Sequence, residues 1–150
     1  MKKTLLAIAI LCLSSMLFNA EAQETVCVSQ ELDGSITVRA WGSGSNKTDA
    51  LEQARKQAVY DVIFKGITSG AEGYMSRPIL NEPNARQKYR DYFDIFFLDR
   101  GEYMKYVSGV DKRRKGNIKK DSSRDLRYCI TVRVMVPELR ARLKADGVLK

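Results

Sequence analysis

Histidine is absent from the 150 residues of this chain. Its absence removes the commonest general base, the usual catalytic zinc sites and any Ser-His-Asp or Cys-His arrangement. Three prolines and ten glycines are too few for a collagen-like or low-complexity chain, and 44% hydrophobic residues exclude wholesale disorder. The length suits one domain with a single core.

Long apolar runs are also missing, apart from one at the N-terminus. Two lysines precede an apolar run over residues 5–18, and Ala-Glu-Ala at 20–22 is a small-x-small cleavage site. We therefore expect residues 1–22 to be a cleaved signal peptide and residues 23–150 to form one domain. A transmembrane anchor is the weaker alternative, because the run is shorter than the about 20 residues that span a bilayer. Nothing later in the chain is apolar for long enough to be a transmembrane segment.

A lipid anchor is not expected, because an acylated cysteine needs a small residue before it. Leu11 precedes Cys12, and Val26 precedes Cys27. The predicted location is therefore the periplasm, the outer membrane or the cell surface of a bacterium, without a lipid or membrane-spanning anchor.

The charge of the mature chain is positive. Cleavage removes two lysines and one glutamate from 26 basic and 18 acidic residues, which leaves 24 against 17, a net charge of +7. This excess favours anionic partners such as lipid headgroups, anionic glycans or acidic proteins. The alternative is that the charge only keeps the protein in solution.

Two cysteines remain after cleavage, Cys27 and Cys129. In an oxidising compartment an even pair makes a disulfide the preferred interpretation. Such a bond would close a loop of about 100 residues and contribute roughly 4–5 kcal/mol on the chain-entropy model. The alternative is two separate thiols that behave as small apolar side chains.

The first half of the chain predicts a hairpin followed by a helix. An Asp-Gly pair at 33–34 marks the turn of a hairpin over 25–41, and a three-residue loop pairs Val28 with Val38 and gives Gly34 the left-handed position. The core-facing residues would be Val26, Val28, Ile36, Val38 and Ala40, with Cys27, Thr37, Arg39 and Trp41 on the opposite face. The helix would be capped by Asn46, stop at Gly66, and lie close to the sheet through the small Ala54 and Ala58.

The second half completes an α+β pattern. Its predicted elements are a helix over 83–98, a strand over 103–110, a basic loop over 112–120, a strand over 126–136 and a last helix opened by Pro137. The order ββααββα predicts an antiparallel sheet of about four strands with helices packed mainly on one face.

The basic loop is the strongest candidate site. Its cations, a candidate anion-binding set, are Lys112, Arg113, Arg114, Lys115, Lys119 and Lys120. Clustered at a hairpin tip, they could bind phosphates or carboxylates of a lipid or glycan surface. The more common use of such a run is a solvated tip that blunts aggregation. Nucleic acid is not expected, because the protein is exported and the loop has no aromatic residue for base stacking.

An aromatic belt lies between residues 89 and 106. It contains Tyr89, Tyr92, Phe93, Phe96, Phe97, Tyr103 and Tyr106. Core packing against the sheet is the preferred interpretation, and a protein-contact surface is the alternative.

Catalysis finds little support in the sequence. The Gly-Ser-Gly segment at 42–44 is similar to a phosphate-binding turn but lacks the third glycine of a dinucleotide fingerprint and the Gly-Lys-Ser/Thr ending of a P-loop, so a tight strand-to-helix turn is preferred. Neither Cys has a histidine to activate it, and no carboxylate pair is set apart by spacing. We therefore expect no enzyme activity, no catalytic residue, no metal site and no cofactor.

The run Ile-Thr-Val-Arg-Ala-Trp-Gly-Ser-Gly at 36–44, followed by Ala50-Leu51, Ala54 and Ala58-Val59, resembles a bacterial envelope family. In these small outer-membrane lipoproteins, related to the N-terminal domain of flagellar assembly protein T, a strand ends in a Gly-x-Gly turn that leads into an alanine-rich helix. The resemblance covers residues 36–63. It implies an α+β envelope domain that is not an enzyme and is used in assembly or surface structure. The missing lipobox departs from the lipoprotein members.

Together these features predict an exported, non-catalytic envelope protein that acts as an interaction or structural module. The alternative is a binder of anionic lipid or glycan through the 112–120 loop. The sequence identifies neither the partner, an envelope protein or an anionic surface, nor the oligomeric state.

Overall fold

The computed structural model describes residues 24–70, 74–109, 118–120 and 126–150, and of 118–120 only the backbone. The predicted signal peptide and the basic run at 112–115 lie outside these residues. In chain order the elements are β1 (Val26–Gln30), β2 (Ile36–Gly44), α1 (Lys47–Tyr60, continued by a π-helical turn over Asp61–Lys65), α2 (Ala85–Lys88), α3 (Arg90–Phe96), a 3₁₀ helix (Glu102–Tyr106), β3 (Val107–Gly109), β4 (Ile118–Lys120), β5 (Leu126–Val134) and α4 (Val136–Ala145).

The strands form one open antiparallel sheet with β5 near its middle. β2 pairs with β5 along its whole length, and β1 pairs with the other side of β2. Both β3 and β4 also pair with β5, β3 at residues 132–134 and β4 at residues 126–128. Since β2 occupies one side of β5, the two short strands lie in line along the other side. The sheet therefore has four strand positions, as predicted, and the fourth is shared by two strands.

The helices cover one face of the sheet, which confirms the α+β class. Apolar side chains of β2 and β5 on this face join those of the helices in a single core. The members that are almost fully buried include Ile36, Val38, Val132, Val134, Val59, Ile63, Phe93, Phe96, Tyr103, Leu139 and Leu143. The opposite face of the sheet carries Thr37, Arg39 and Trp41 from β2 and Cys129, Thr131 and Arg133 from β5, because side chains alternate along a strand.

α1 lies close to β2 because small residues face each other where the two cross. Ala50, Ala54 and Ala58 are fully buried, and a Cβ added to Gly42 would stand 2.2 Å from the Ala50 carbonyl oxygen. Asn46 caps the helix as predicted, its Oδ1 accepting a hydrogen bond from the Asp49 amide at 3.0 Å. The helical run ends at Gly66, which has a φ of 77°.

The predicted hairpin register is correct near the turn and wrong beyond it. Gln30 lies opposite Ile36, the pairing expected for a three-residue loop, and Gly34 has the left-handed φ of 82°. A bulge at Val28 then shifts the register by one residue, so that Cys27 pairs with Val38. A shift of one residue moves side chains to the other face.

The bulge changes which side chains of β1 enter the core. Cys27 is 2% exposed within it, whereas Val26 and Val28, both predicted to face the core, are only partly buried. The backbone of Cys27 also forms a hydrogen bond outside the β1–β2 pair. Its amide donates to the Ser69 carbonyl at 2.9 Å.

Two other predicted elements differ from the structure. The single helix over 83–98 is two short helices, because Tyr89 leaves the helical region at a ψ of 34°. The first half of the predicted strand over 103–110 is a 3₁₀ helix. With three residues per turn, Tyr103 and Tyr106 lie on the same side and both contact the core, which alternation along a strand would not allow.

The last part of the chain also departs from the prediction in two places. The predicted loop over 112–120 is a strand at its end, since Ile118–Lys120 forms β4. The predicted strand over 126–136 stops at Val134, and α4 begins at Val136 with Pro137 in its first turn, where a missing amide proton costs nothing. No helix among the described residues is long and apolar enough to cross a membrane.

Candidate binding groove

A groove of about 1000 Å³ lies between α1 and the end of β2. It is open on one side, and it extends from the last residues of β2 along α1 to the loop after Gly66. Its lining comprises Glu24, Thr25, Trp41, Gly42, Ser43, Asp49, Gln53, Lys56, Gln57, Tyr60, Asp61, Lys65, Gly66, Thr68, Arg86, Phe97 and Arg127.

One wall of the groove is a polar stripe along α1. Asp49, Gln53, Gln57 and Asp61 are each four residues apart, so they lie on one side of the helical run. The Gln53 amide nitrogen donates to Asp49 Oδ1 at 3.4 Å, and the Gln57 amide nitrogen donates to Asp61 Oδ1 at 2.7 Å. The stripe is adjacent to the alanine face that contacts the sheet, which places it at the edge of the interface between helix and sheet.

Asp61 is the buried charge of the groove, 5% exposed as a residue. Its Oδ2 accepts a hydrogen bond from Thr25 Oγ1 at 2.5 Å, and its Oδ1 lies 3.0 Å from Lys65 Nζ in addition to the Gln57 bond. Three donors therefore surround one carboxylate. The bond from Thr25 holds the N-terminal segment against α1, and a buried carboxylate with several protein donors is the arrangement of a structural carboxylate.

Aromatic rings form the other walls. Tyr60 stacks at a tilt on Phe97, with 6.1 Å between ring centroids, and Trp41 is partly buried at the end of β2. Lys65 Nζ lies 5.8 Å from the Tyr60 centroid, a cation–π distance. The groove thus combines aromatic surface, glutamine amides and charges of both signs.

The sequence-predicted basic set is not brought into the groove. Lys112, Arg113, Arg114 and Lys115 lie outside the described residues. Lys119 and Lys120 are in β4, where they pair with Arg127 and Leu126 of β5. These two residues therefore belong to a strand.

The predicted disulfide is not formed. Cys27 and Cys129 are both free and both buried. Cys27 shares the core face with Val38, whereas Cys129 pairs with Trp41 on the opposite face, so β2 and the thickness of the sheet separate the two thiols. Burial raises the pKa of both thiols, and the charge of Arg39 offsets this only in part at Cys129. Both side chains are therefore protonated, unreactive thiols at neutral pH.

Most of the aromatic belt is core. Phe93, Phe96 and Tyr103 are at most 2% exposed, and Phe96 stacks on Tyr106 with 6.0 Å between centroids. Tyr103 donates its hydroxyl proton to Glu52 at 3.0 Å, and burial is the main reason that the pKa of this phenol is raised. The large apolar side chains left exposed nearby are Ile95, Leu98 and Met104, which were not part of the belt.

The Gly-Ser-Gly segment at 42–44 is the end of β2, and its two glycines let β2 pack closely against α1. A Cβ at Gly44 would lie 2.6 Å from the Ala50 amide nitrogen. At the start of the helix the Ser45 amide donates to Asp49 Oδ2 at 3.0 Å, so a side chain of α1 itself occupies this turn. The hydrogen bond from Ser45 holds the pKa of the Asp49 carboxyl below its usual range.

The groove itself was not predicted, although one signal for it is in the sequence. The amino-acid sequence shows the four-residue spacing of Asp49, Gln53, Gln57 and Asp61. The groove also needs the segment at 24–25, which lines it and bonds to Asp61 through Thr25, and no local sequence pattern predicts this contact.

Comparisons with known proteins add no assignment. No family model, no curated protein and no solved structure matches this chain. The resemblance to flagellar assembly protein T and its lipoprotein relatives therefore stays a prediction. Within the described ranges, no three His, Cys, Asp or Glu side chains are grouped as they would be around a metal ion.

Proposed function

We propose that this chain is an exported, non-catalytic interaction module of a bacterial envelope, and that the groove along α1 binds a segment of a partner protein. The observation that carries the proposal is the composition of the groove. Glutamine amides can donate hydrogen bonds to the backbone of a bound peptide and accept them from it. The acidic and basic residues of the groove can pair with charged side chains of either sign on that peptide. Trp, Tyr and Arg are the residues enriched at the energetic centres of protein interfaces.

The state of Asp61 supports binding over catalysis. A general base needs a lone pair within reach of the proton that it removes. The donors on Asp61 come from Thr25, Gln57 and Lys65, so the carboxylate is committed to the fold. A groove whose buried charge is already satisfied presents a preformed surface, which lowers the entropic cost of binding.

Binding of an anionic lipid or glycan through the 112–120 region is the second candidate. One observation favours it: β4 places Lys119 directly opposite Arg127 in the ladder. The register therefore brings two basic residues into one row of the sheet, and basic residues attract anionic groups. Since 112–115 lies outside the described residues, this candidate depends on the backbone position of β4.

Site-specific photocrosslinking in the envelope tests the groove. A benzophenone amino acid replaces Gln53, which lines the groove, and in a matched variant it replaces Arg140, which is exposed on α4. We expect a discrete protein adduct from position 53 and none from position 140. We also expect Trp41→Ala to reduce the adduct at position 53 at least fivefold, as loss of a central aromatic contact would.

Equal adducts from positions 53 and 140 would indicate unspecific collisions and contradict the proposal. So would a complete lack of adduct at position 53 in a chain that is exported and folded. Retention of the adduct after Trp41→Ala would place the contact outside the groove.

A further inference from the structure

The turn between β1 and β2 carries an exposed leucine between two carboxylates. Leu32 is the most exposed large apolar side chain of the described residues, with Glu31 before it and Asp33 after it. Turn positions favour Gly, Pro, Asn, Asp and Ser, so the turn itself does not require a leucine. These three residues are called the β1–β2 tip below.

Hydrogen bonds fix the shape of the β1–β2 tip. Glu31 Oε1 accepts from one hydroxyl group of β1 and one of β2, at 3.0 and 3.1 Å. Asp33 Oδ1 accepts from the amide and the hydroxyl of Ser35, at 2.9 and 2.6 Å, and Asp33 Oδ2 lies 2.6 Å from Arg133. Leu32 is therefore presented by a preorganised turn, which lowers the entropic cost of binding.

The groove along α1 has side chains that complement this tip. Tyr60 and Phe97 are partly buried aromatic residues of its wall, and a leucine side chain can pack on such rings. Lys65 lies beside Tyr60 with a side chain that is 62% exposed, and its ammonium group has more N–H donors than its ion pair with Asp61 uses. Arg86 is a second lining cation, and its two hydrogen bonds use fewer than the five N–H donors of a guanidinium.

The β1–β2 tip does not occupy the groove of its own chain. Leu32 is fully exposed, so it packs in no groove of this molecule. The tip precedes Ile36, whereas the part of β2 that lines the groove begins at Trp41, five residues or about 17 Å along the strand. Only the groove of another molecule can receive it.

We propose that the β1–β2 tip of one molecule inserts into the groove of a second copy, so that the chains assemble head to tail. Leu32 packs on the aromatic wall, and the two carboxylates beside it pair with the cations of the groove. The inference rests on the proposed function, because it names the chain itself as the partner whose segment the groove binds. Such an interface joins two different surfaces, so each assembly keeps one free tip and one free groove and continues to grow.

A second copy suits this tip better than a lipid surface. The anionic headgroups of a bacterial membrane would repel Glu31 and Asp33, and Arg133 offsets only one of these two charges. The chain as a whole has a net positive charge, so a locally acidic tip is attracted to other copies of the chain.

Light scattering after size-exclusion chromatography of the mature chain, residues 23–150, tests self-association. We expect the average mass to rise with concentration beyond that of two copies and to fall as salt is added. Leu32→Asp should weaken assembly at least tenfold, and Leu32→Ser should weaken it in the same direction without adding a charge. Ile95→Asp is the matched control, because Ile95 is 68% exposed and lies outside the tip and the groove, and it should change assembly less than twofold.

Mixing two defective variants tests whether the tip meets the groove. Gln53→Trp places a large side chain in the groove, whereas Leu32→Asp disables the tip. Each variant alone should stay monomeric. Their equimolar mixture should form a dimer and nothing larger, because one intact tip then meets one intact groove. Formation of this dimer would also show that both variants are folded.

The other outcomes overturn the inference. A wild-type chain that stays monomeric up to about 1 mM would exclude the contact, and an assembly that stops at two wild-type copies would indicate a symmetric interface. Equal weakening by Ile95→Asp would mean an unspecific effect of charge. A mixture of variants that stays monomeric, although circular dichroism shows both to be folded, would mean that tip and groove do not meet.

The crosslink at position 53 separates this inference from the proposed function. An adduct with twice the mass of the chain would support both. If the purified chain stays monomeric while position 53 crosslinks to a different protein, the groove still binds a partner segment and only the head-to-tail assembly is wrong. Without any adduct at position 53, the proposed function is wrong as well.

Discussion

Replacing Gly42 with valine is expected to lower the free energy of unfolding by at least about 3 kcal/mol. The new Cβ would stand 2.2 Å from the Ala50 carbonyl oxygen and 2.2 Å from the Ala54 amide nitrogen. Both atoms are backbone, so no side chain can rotate away, and α1 would have to lift from β2. Because α1 contributes Ala58, Val59 and the following Ile63 to the core, the shift would open the core as well. Urea denaturation followed by circular dichroism measures the change.

Gly109→Val is the matched control. Gly109 lies in β3 at the sheet edge, and a Cβ added there meets no atom within 4 Å. Valine is a good strand former, so the free energy of unfolding should change by less than about 0.5 kcal/mol. Similar destabilisation by the two substitutions would show that the close approach of α1 to β2 is not what Gly42 provides.

Phe93→Ala is expected to cost about 3–5 kcal/mol of unfolding free energy. Phe93 is fully buried and lies at the centre of the aromatic cluster, with its ring centroid 4.7 Å from that of Phe64 and 5.1 Å from that of Tyr92. Truncation removes apolar surface from the core and leaves a cavity whose rigid aromatic neighbours cannot close it. Thermal and urea unfolding of the variant give the magnitude.

Ile95→Ala is the control on the same helix. Ile95 is 68% exposed, two residues from Phe93 on α3. Its truncation should change the free energy of unfolding by no more than about 0.5 kcal/mol. A large loss at Ile95 together with a small loss at Phe93 would mean that α3 packs with its other face inward, as a protein-contact role of the belt would require.

The parts of the fold that the sequence predicts correctly rest on local physics. Asn46 caps α1 through its own side chain, Gly34 takes a conformation that other residues resist, and the alternation in β5 marks its core-facing side chains. These signals depend on residues that are close in sequence, so they can be recognised without knowing the tertiary contacts.

The parts that it misses depend on contacts distant in sequence. The bulge at Val28 sends Cys27 into the core, and the β1 backbone there is held from outside by Ser69. Tyr103 enters a 3₁₀ turn whose geometry lets its hydroxyl reach Glu52. In both cases the segment contacts a partner more than 40 residues away in the chain. Local periodicity cannot predict such a contact.

The candidate sites divide in the same way. The stripe of Asp49, Gln53 and Gln57 follows from helical spacing, but the groove exists because Thr25 crosses to Asp61. Charge counting directs attention to the run at 112–115 because a contiguous run is the only cluster that a sequence shows directly.

Export and the separation of the two thiols are tested together by the intact mass of the chain isolated from a bacterial envelope fraction without reduction. We expect a polypeptide that begins at Gln23, with Cys27 and Cys129 both carrying their hydrogen atoms. A chain that still begins at Met1 would contradict export. A mature chain lighter by two hydrogen atoms would contain a disulfide between Cys27 and Cys129. Because these residues lie on opposite faces of the sheet, that result would contradict the sheet on which the groove depends.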